Sequence, residues 1–266
     1  AAKEIAGWNF EKRVEITSKD EMGQLAESFN HMAESLENIE KSRRAFIANV
    51  SHELKTPIAL IQGYAEGLQE GMGEDKESRD YYCDVIVDEA GKMNKMVKQL
   101  LTLSSLESGS DRTVMERFDL TELIQGVINS ARIMVQQAEA EVKFECSGPV
   151  WVWADEFKIE EVVTNYLSNA IHHVGGEKKI VIRITRDGDK VRVSVFNTGT
   201  PIPEEALPNL WTKFYKVDKA RTREYGGTGI GLSIVKAIMD AHHESCGVEN
   251  WENGVEFWFT LDGSSQ

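Results

Sequence analysis

The sequence predicts an α plus α/β chain: an antiparallel helical hairpin that pairs with a second copy into a four-helix bundle, followed by an α/β sandwich with a mixed sheet. Three observations carry this. Apolar residues recur in alternating steps of three and four through the first part of the chain. A polar linker, Ser108-Gly-Ser-Asp-Arg112, then interrupts the pattern. Beyond it, stretches of alternating apolar and polar residues are interleaved with helical ones.

The 266 residues, 41% of them hydrophobic, suffice for two domains of moderate size. A formal net charge of −14 argues against a nucleic-acid partner, which calls for a basic stripe. It leaves room for an anionic nucleotide, because a local site can oppose the global charge. Cys83, Cys146 and Cys246 are far apart, odd in number and without metal-ligand spacing, as expected of free thiols in a reducing compartment. No apolar run reaches the length of a membrane span and no signal peptide is visible. The opening Ala-Ala-Lys-Glu reads as the inside of a longer protein, so an upstream membrane segment is expected.

The first seam runs through Met22, Leu25, Phe29, Met32, Leu36 and Ile39, the a/d pattern of a coiled coil, and continues past Arg43 to Phe46 and Val50. Gly63, Gly67, Gly71 and Gly73 weaken this helix progressively, and Gly71–Asp75 marks a turn. A second helix carries Tyr82, Ile86, Glu89, Met93, Met96, Leu100 and Leu103. After the linker, a helix starts near Asp119 with Leu123, Val127, Ala131 and Val135 along one face. Strands are expected at Val142–Cys146, Val150–Trp153, Lys179–Arg186, Lys190–Asn197 and Val255–Leu261. The turn Asp187-Gly-Asp makes the third and fourth an antiparallel pair. Helices are expected at 156–173 and at about 230–242.

One histidine stands where a helix exposes it. In Phe46-Ile-Ala-Asn-Val-Ser-His-Glu-Leu-Lys-Thr-Pro57, the apolar positions Phe46, Ile47, Val50, Leu54 and Ile58 face a core, leaving His52 and Glu53 to the other side. A neutral imidazole is a good nucleophile, and an adjacent carboxylate can orient it and accept its proton. Pro57 removes a helical N–H and crowds the Glu53 carbonyl, so a bend is expected there.

Four pieces of the second half point to a nucleotide. Asn165 and Asn169, four apart, share a helix face, with Val162, Val163, Tyr166, Leu167 and Ala170 on the packing side. A carboxamide oxygen there suits a hard cation such as Mg²⁺, which completes its shell with phosphate and water. Asn197 ends a strand beside Gly199, where backbone can approach a ligand and a carboxamide oxygen can accept from the exocyclic amine of adenine. Gly226-Gly-Thr-Gly-Ile-Gly-Leu232 opens directly into a helix, and a glycine run at a helix N-terminus offers free N–H groups to phosphates. The preceding Trp211–Tyr225 mixes aromatics with five basic residues, as a lid over phosphates would.

Together these pieces resemble a sensor histidine kinase of a two-component system, over nearly the whole chain. Phe46–Pro57 resembles the H box, Asn165–Asn169 the N box, Asn197–Gly199 the G1 box, Trp211–Tyr215 the F box and Gly227–Gly231 the G2 box. Asp20-Glu-Met-Gly23 with Leu25 and Phe29-Asn-His-Met32 resembles the second half of a HAMP module. The resemblance implies a partial HAMP module and connector over 1–41, a dimerisation and histidine-phosphotransfer domain over 42–108, and a Bergerat-type (GHKL) ATP-binding domain over 115–262. It implies ATP with Mg²⁺ as cofactors, a homodimer, and a response regulator receiver domain as partner. It also implies the cytoplasmic portion of an inner- or plasma-membrane protein.

On this reading His52 accepts the γ-phosphoryl group, Glu53 takes its proton, and Thr56 aligns a water for dephosphorylating the regulator. Asn165 ligates the metal. Asn165, Asn169, His172, Asn197, Gly199, Phe214, Lys216, Arg221, Arg223, Gly227, Thr228, Gly229, Gly231 and Leu232 bind the nucleotide. The chain departs from the family at Asn197, usually Asp, and at His172, often Lys, which either reaches the phosphates or merely occupies the helix end. Gly254-Val255 alters the closing glycine-threonine motif, and His242-His243 replaces the common His-Gly. An ATP-binding signalling scaffold, or a phosphatase-dominant regulator, is the alternative; the intact His52-Glu53 pair favours the kinase.

Replacing Arg43 with Leu closes the one polar break in the seam and is expected to stiffen the junction with the histidine helix. The ratio of kinase to phosphatase activity should shift; an unchanged ratio would count against this coupling.

Overall fold

The structure is a computed structural model describing residues 13–16, 20–71, 75–109, 111–217 and 228–263. The chain divides into two compact units, Ala1–Ala90 and Gly91–Gln266. In the first, α1 spans Glu21–Gln69 without interruption, about 74 Å at 1.5 Å per residue. Asp20 starts it: its carboxylate accepts from the N–H groups of Met22 and Gly23 at 3.1 and 3.3 Å, satisfying two donors that the first turn leaves open. The preceding segment lies along the same helix. The Asn30 carboxamide accepts from the Val14 N–H and donates to the Val14 carbonyl, both at 2.8 Å.

Within the single chain, α1 buries the small residues Gly23, Ala26 and Ala33, whereas Met22, Leu25 and Ile39 of the seam are 67%, 62% and 65% exposed. A stripe that one chain leaves uncovered is what a bundle of two copies requires. Where Arg43 breaks the seam, Arg43 and Arg44 both donate to the Glu40 carboxylate at 2.8 Å, and hold its pKa down at about 2. Ile47 and Ile58, expected on the packed side, are 54% and 48% exposed. The half-buried stripe is the narrower Phe46, Val50, Leu54, whose steps of four leave both isoleucines at its margins.

The second helix, α2 (Lys76–Glu107), returns beside α1. Near the turn Tyr64 meets Tyr82 edge-on with ring centroids 5.2 Å apart and Tyr81 at 6.1 Å, so the two helices form a hairpin. Residues 72–74 of the predicted turn, with Gly73, lie outside the described residues. No helix among the described residues is long and apolar enough to cross a membrane.

The second unit is a seven-stranded mixed sheet covered by helices. Its elements are β1 (Glu116–Asp119), α3 (Leu120–Ser130), α4 (Arg132–Gln137), β2 (Glu141–Glu145), β3 (Trp151–Ala154) and α5 (Glu156–His173). They continue with β4 (Lys179–Asp187), β5 (Lys190–Thr198), α6 (Gly231–Ala241), β6 (Cys246–Trp251) and β7 (Gly254–Asp262). The strand order is β1-β3-β7-β5-β4-β2, with β6 also paired to β7. Among the described strands only β2 and β4 run parallel; the β4–β5 hairpin places Asn197 opposite Ile180, and the antiparallel pairing of β5 with β7 places it opposite Val255 on the other side.

One sheet face is apolar. Val191, Val193, Val195, Val255, Phe257, Phe259 and Leu261 are each at most 4% exposed, and Ile159, Val162, Val163, Tyr166 and Leu167 of α5 lie at 0–1%. Tyr166 fixes the layers in depth: its ring lies 5.4 Å from Phe257 and 6.0 Å from Phe259, and its hydroxyl donates to the Trp258 carbonyl at 3.1 Å. The other face is charged, with Arg192 donating to Glu249 at 2.7 Å and stacking over Trp258 at 4.3 Å.

Two strands were not expected from the sequence, β1 and β6, because Glu-Arg-Phe-Asp and Cys-Gly-Val-Glu-Asn-Trp carry little alternation. The helix expected from Asp119 through Val135 is two, divided at Ala131, and it buries Leu120 and Ile124 rather than Leu123. Phe259→Ala would empty a fully buried site. The unfolding free energy of the second unit should fall by about 3–5 kcal/mol, read as a lower denaturant midpoint.

Candidate nucleotide site and histidine helix

Helix α5 begins where Asp155 caps it, its carboxylate accepting from the Lys158 N–H at 3.2 Å. With the apolar face against the sheet, the opposite edge carries Asn165, Asn169 and His172, all half-buried. Asn165 is oriented by its own helix: Nδ2 donates to the Glu161 carbonyl at 2.9 Å, which leaves Oδ1 turned outward. That oxygen faces the start of α6, where a Cβ on Gly231 would stand 2.5 Å from it. A side chain at 231 would have to displace the Asn165 carboxamide.

The start of α6 is open. Ile230 precedes it without a side-chain cap bond, so the first-turn N–H groups, those of Gly231 and Leu232 included, are not capped by the residue that starts the helix. Gly229, at φ +72°, lies against Phe214: a Cβ would sit 2.9 Å from the Phe214 backbone, and the Phe214 N–H donates to the Gly229 carbonyl at 2.8 Å. Phe214 is itself held at φ +63°, a conformation that a bulky residue keeps only when its surroundings impose it. Thr228 is half-buried, its hydroxyl accepting from the Ile230 N–H at 3.4 Å. Lys216 is half-buried. Arg221, Arg223 and Gly227 lie outside the described residues.

At the far end of α5, the His173 carbonyl approaches the end of β5, where a Cβ on Gly199 would meet it at 2.7 Å. Asn197 is buried, its Nδ2 donating to the Thr198 carbonyl at 3.2 Å. Thr198 ties the loop after α5 to this strand, its hydroxyl donating to the Gly175 carbonyl at 2.7 Å and accepting from the Lys179 N–H at 3.0 Å. Beside them His173, Gly175, Gly199, Thr200 and Asn253 line a cleft of about 450 Å³. His172 turns back along its helix, Nδ1 lying 2.6 Å from the Ser168 carbonyl, which makes that nitrogen the donor.

The sequence missed Thr198 and Asn250. Asn250 accepts from the Ile202 N–H at 2.9 Å and donates to its carbonyl at 2.7 Å, fixing the loop that leaves β5. Only the strand pairing that brings β6 near residue 202 reveals this. Among the described residues no group of three His, Cys, Asp or Glu side chains could hold a metal. An ion at Asn165 would draw on one carboxamide oxygen, phosphate and water, a donor set that fits Mg²⁺.

In the first unit His52 and Thr56 lie one turn apart on the same side of α1, both exposed, with Glu53 half-buried. The helix continues through Pro57, which is buried.

The chain matches three family models in succession. They are the HAMP domain over residues 1–38, the His Kinase A (phospho-acceptor) domain over 42–109, and the histidine kinase-, DNA gyrase B-, and HSP90-like ATPase over 154–265. It is 33% identical over 228 residues to the sensor protein kinase WalK of Staphylococcus epidermidis, covering 85% of this chain and 37% of that protein. The chain thus spans about a third of the length of that relative. Among solved structures, the catalytic domain of histidine kinase ThkA is 35% identical, with a TM-score of 0.51 over 56% of this chain and 96% of its own. ThkA in complex with the response regulator protein TrrA is 30% identical, with a TM-score of 0.68 over 86% of this chain and 66% of its own. Phospho-acceptor and ATPase-like domains in this order, with a 35% identical kinase domain matched over nearly all its length, make this chain a member of the sensor histidine kinase family.

Proposed function

We propose that the chain binds ATP with Mg²⁺ between α5 and α6, phosphorylates its own His52, and passes the phosphoryl group to an aspartate on a response regulator receiver domain. The observation that carries the nucleotide reading is the uncapped N-terminus of α6 lying against Asn165. Free N–H groups and the positive end of the helix dipole suit phosphates. Gly199 and Asn197, about two turns further along α5, form the base end, and the Asn197 carboxamide oxygen accepts from the adenine amine. Asn169, Lys216, Arg221, Arg223, Gly227, Thr228, Gly229 and Leu232 complete the phosphate side, with Phe214 holding Gly229. Mg²⁺ held by the Asn165 oxygen, phosphates and water would offset the triphosphate charge.

An imidazole nitrogen of His52 attacks the γ-phosphorus as the bond to the β-phosphate oxygen breaks and ADP leaves; Glu53 receives the imidazole proton. Exposure of His52 on an unbroken helix supports this role, since the nucleophile must reach a nucleotide carried on another part of the protein. Positioning and charge compensation supply most of the rate enhancement in such transfers. Thr56, one turn away on the same side, aligns the water for removing phosphate from the regulator. The exposed seam on α1 supports a homodimer, the HAMP match a membrane-linked receptor, and the ThkA–TrrA complex a receiver-domain partner. The working division is 1–41 connector, 42–108 phosphotransfer hairpin and 115–262 ATP-binding domain.

Incubation with Mg²⁺ and γ-labelled ATP should give acid-labile, alkali-stable label that His52→Gln abolishes without loss of ATP binding. Label persisting in that variant would exclude His52 as acceptor. Gly231→Ala places a methyl group on Asn165 and should raise the ATP dissociation constant roughly tenfold or more; unchanged binding would remove the α5–α6 contact from the site.

A further inference from the structure

One buried ring joins the two helices of the nucleotide site at the end remote from it. His242 follows the last residue of α6 and is 8% exposed. Its Nδ1 lies 2.8 Å from the Ile238 carbonyl and its Nε2 lies 3.0 Å from the Asp155 backbone nitrogen. A carbonyl only accepts and a backbone N–H only donates. Nδ1 therefore carries the proton, Nε2 presents its lone pair, and the imidazole is neutral. Asp155 is the N-cap of α5, and its carboxylate accepts from the Lys158 N–H and, at 2.9 Å, from the Val114 N–H.

The same two helices meet at the other end through Gly231 and Asn165. From Asp155 to Asn165 the helical rise is about 15 Å, and from Gly231 to His242 about 16 Å. The spans agree, so two fixed points set the axial register of an antiparallel pair. A stiff two- to three-turn helix cannot slip at one of them without moving the other.

We propose that His242 is the register pin of the nucleotide site, a positioning residue that holds the open start of α6 against Asn165. This rests on the ATP reading of that site. The pin is also sensitive to acid: a protonated ring would turn a second N–H toward the Asp155 N–H and lose the contact. The charged groups around the ring are Asp155 and Lys158 on α5 and Glu244 just beyond α6. Lys158 is further paired with Asp111 at 3.4 Å, and Glu244 with Lys190. Burial keeps the ring below its ordinary value of 6.5 and outweighs the pull of the two carboxylates. With a depressed folded value, the stabilisation is complete above the unfolded value and is lost as pH falls through the folded one.

The test compares wild type, His242→Gln and His242→Phe by calorimetric titration with Mg²⁺ and ATP at pH 7.5, and by thermal melting at pH 7.5 and 5.5. Phe leaves the Asp155 N–H unmet and should raise the dissociation constant roughly fivefold at pH 7.5. Gln keeps an acceptor oxygen that does not titrate, so it should bind like wild type at pH 7.5, and its melting temperature should fall less than that of wild type between pH 7.5 and 5.5. Ionisation elsewhere in the protein is common to all three proteins and cancels in the comparison. A folded Phe variant with wild-type affinity, or a Gln variant whose melting temperature falls with acid as steeply as that of wild type, overturns the proposal. If wild type binds no ATP at pH 7.5, the nucleotide reading fails by itself, and the pin is judged on the nucleotide-free protein. A melting temperature that falls with acid more steeply in wild type than in His242→Gln upholds it; parallel curves overturn it.

Discussion

The seating of α5 on the sheet is the constraint from which the second unit is built. Tyr166 and its apolar neighbours are almost wholly buried against β5 and β7, and a core packed this closely fixes the helix in depth and rotation. Everything in the site is referred to that helix. Asn165 meets Gly231, the His173 carbonyl meets Gly199, and Asp155 meets His242. The three contacts occur at the middle, the end and the start of one rigid rod. The apolar side thus does the positioning while the polar side holds the chemistry.

Glycines at these contacts follow from the same constraint. Gly231 and Gly199 stand where another residue's oxygen comes closer than any Cβ permits, and Gly229 where the Phe214 backbone does. They serve close approach as well as flexibility. The approach leaves room for backbone N–H groups, and not side chains, to face the ligand. An anion there would be met by donors that cost little entropy to hold in place.

The hairpin rests on a different balance. Its buried positions along the start of α1 are small, Gly23, Ala26 and Ala33, while large apolar residues remain uncovered. One chain can order such a helix, but the hydrophobic gain waits for a second stripe. Next to this seam sits Glu40 with two arginines, a charged junction between the upstream seam and the helix that presents His52.

Periodicity in the sequence determined the helices and the longer strands, because the 3.6 and 2.0 repeats of burial are written directly into residue order. The range 156–173 was legible to the residue for this reason, since an apolar stripe runs its length. The five motifs and their order likewise announced the kinase family and an exposed histidine. Short strands such as β1 and β6 were not legible, for their residues have too little alternation and pair only because β3 and β7 present edges to them. Nor could the sequence orient a carboxamide. The Asn165 oxygen faces α6 because its nitrogen is tied to Glu161, and Asn250 clasps Ile202 across a sheet. Least of all could it distinguish His242 from His243. One is buried on a backbone donor 87 residues away and the other is exposed at φ +56°. Local order fixes which residues share a face; only the packed fold decides which distant backbone atom that face will meet.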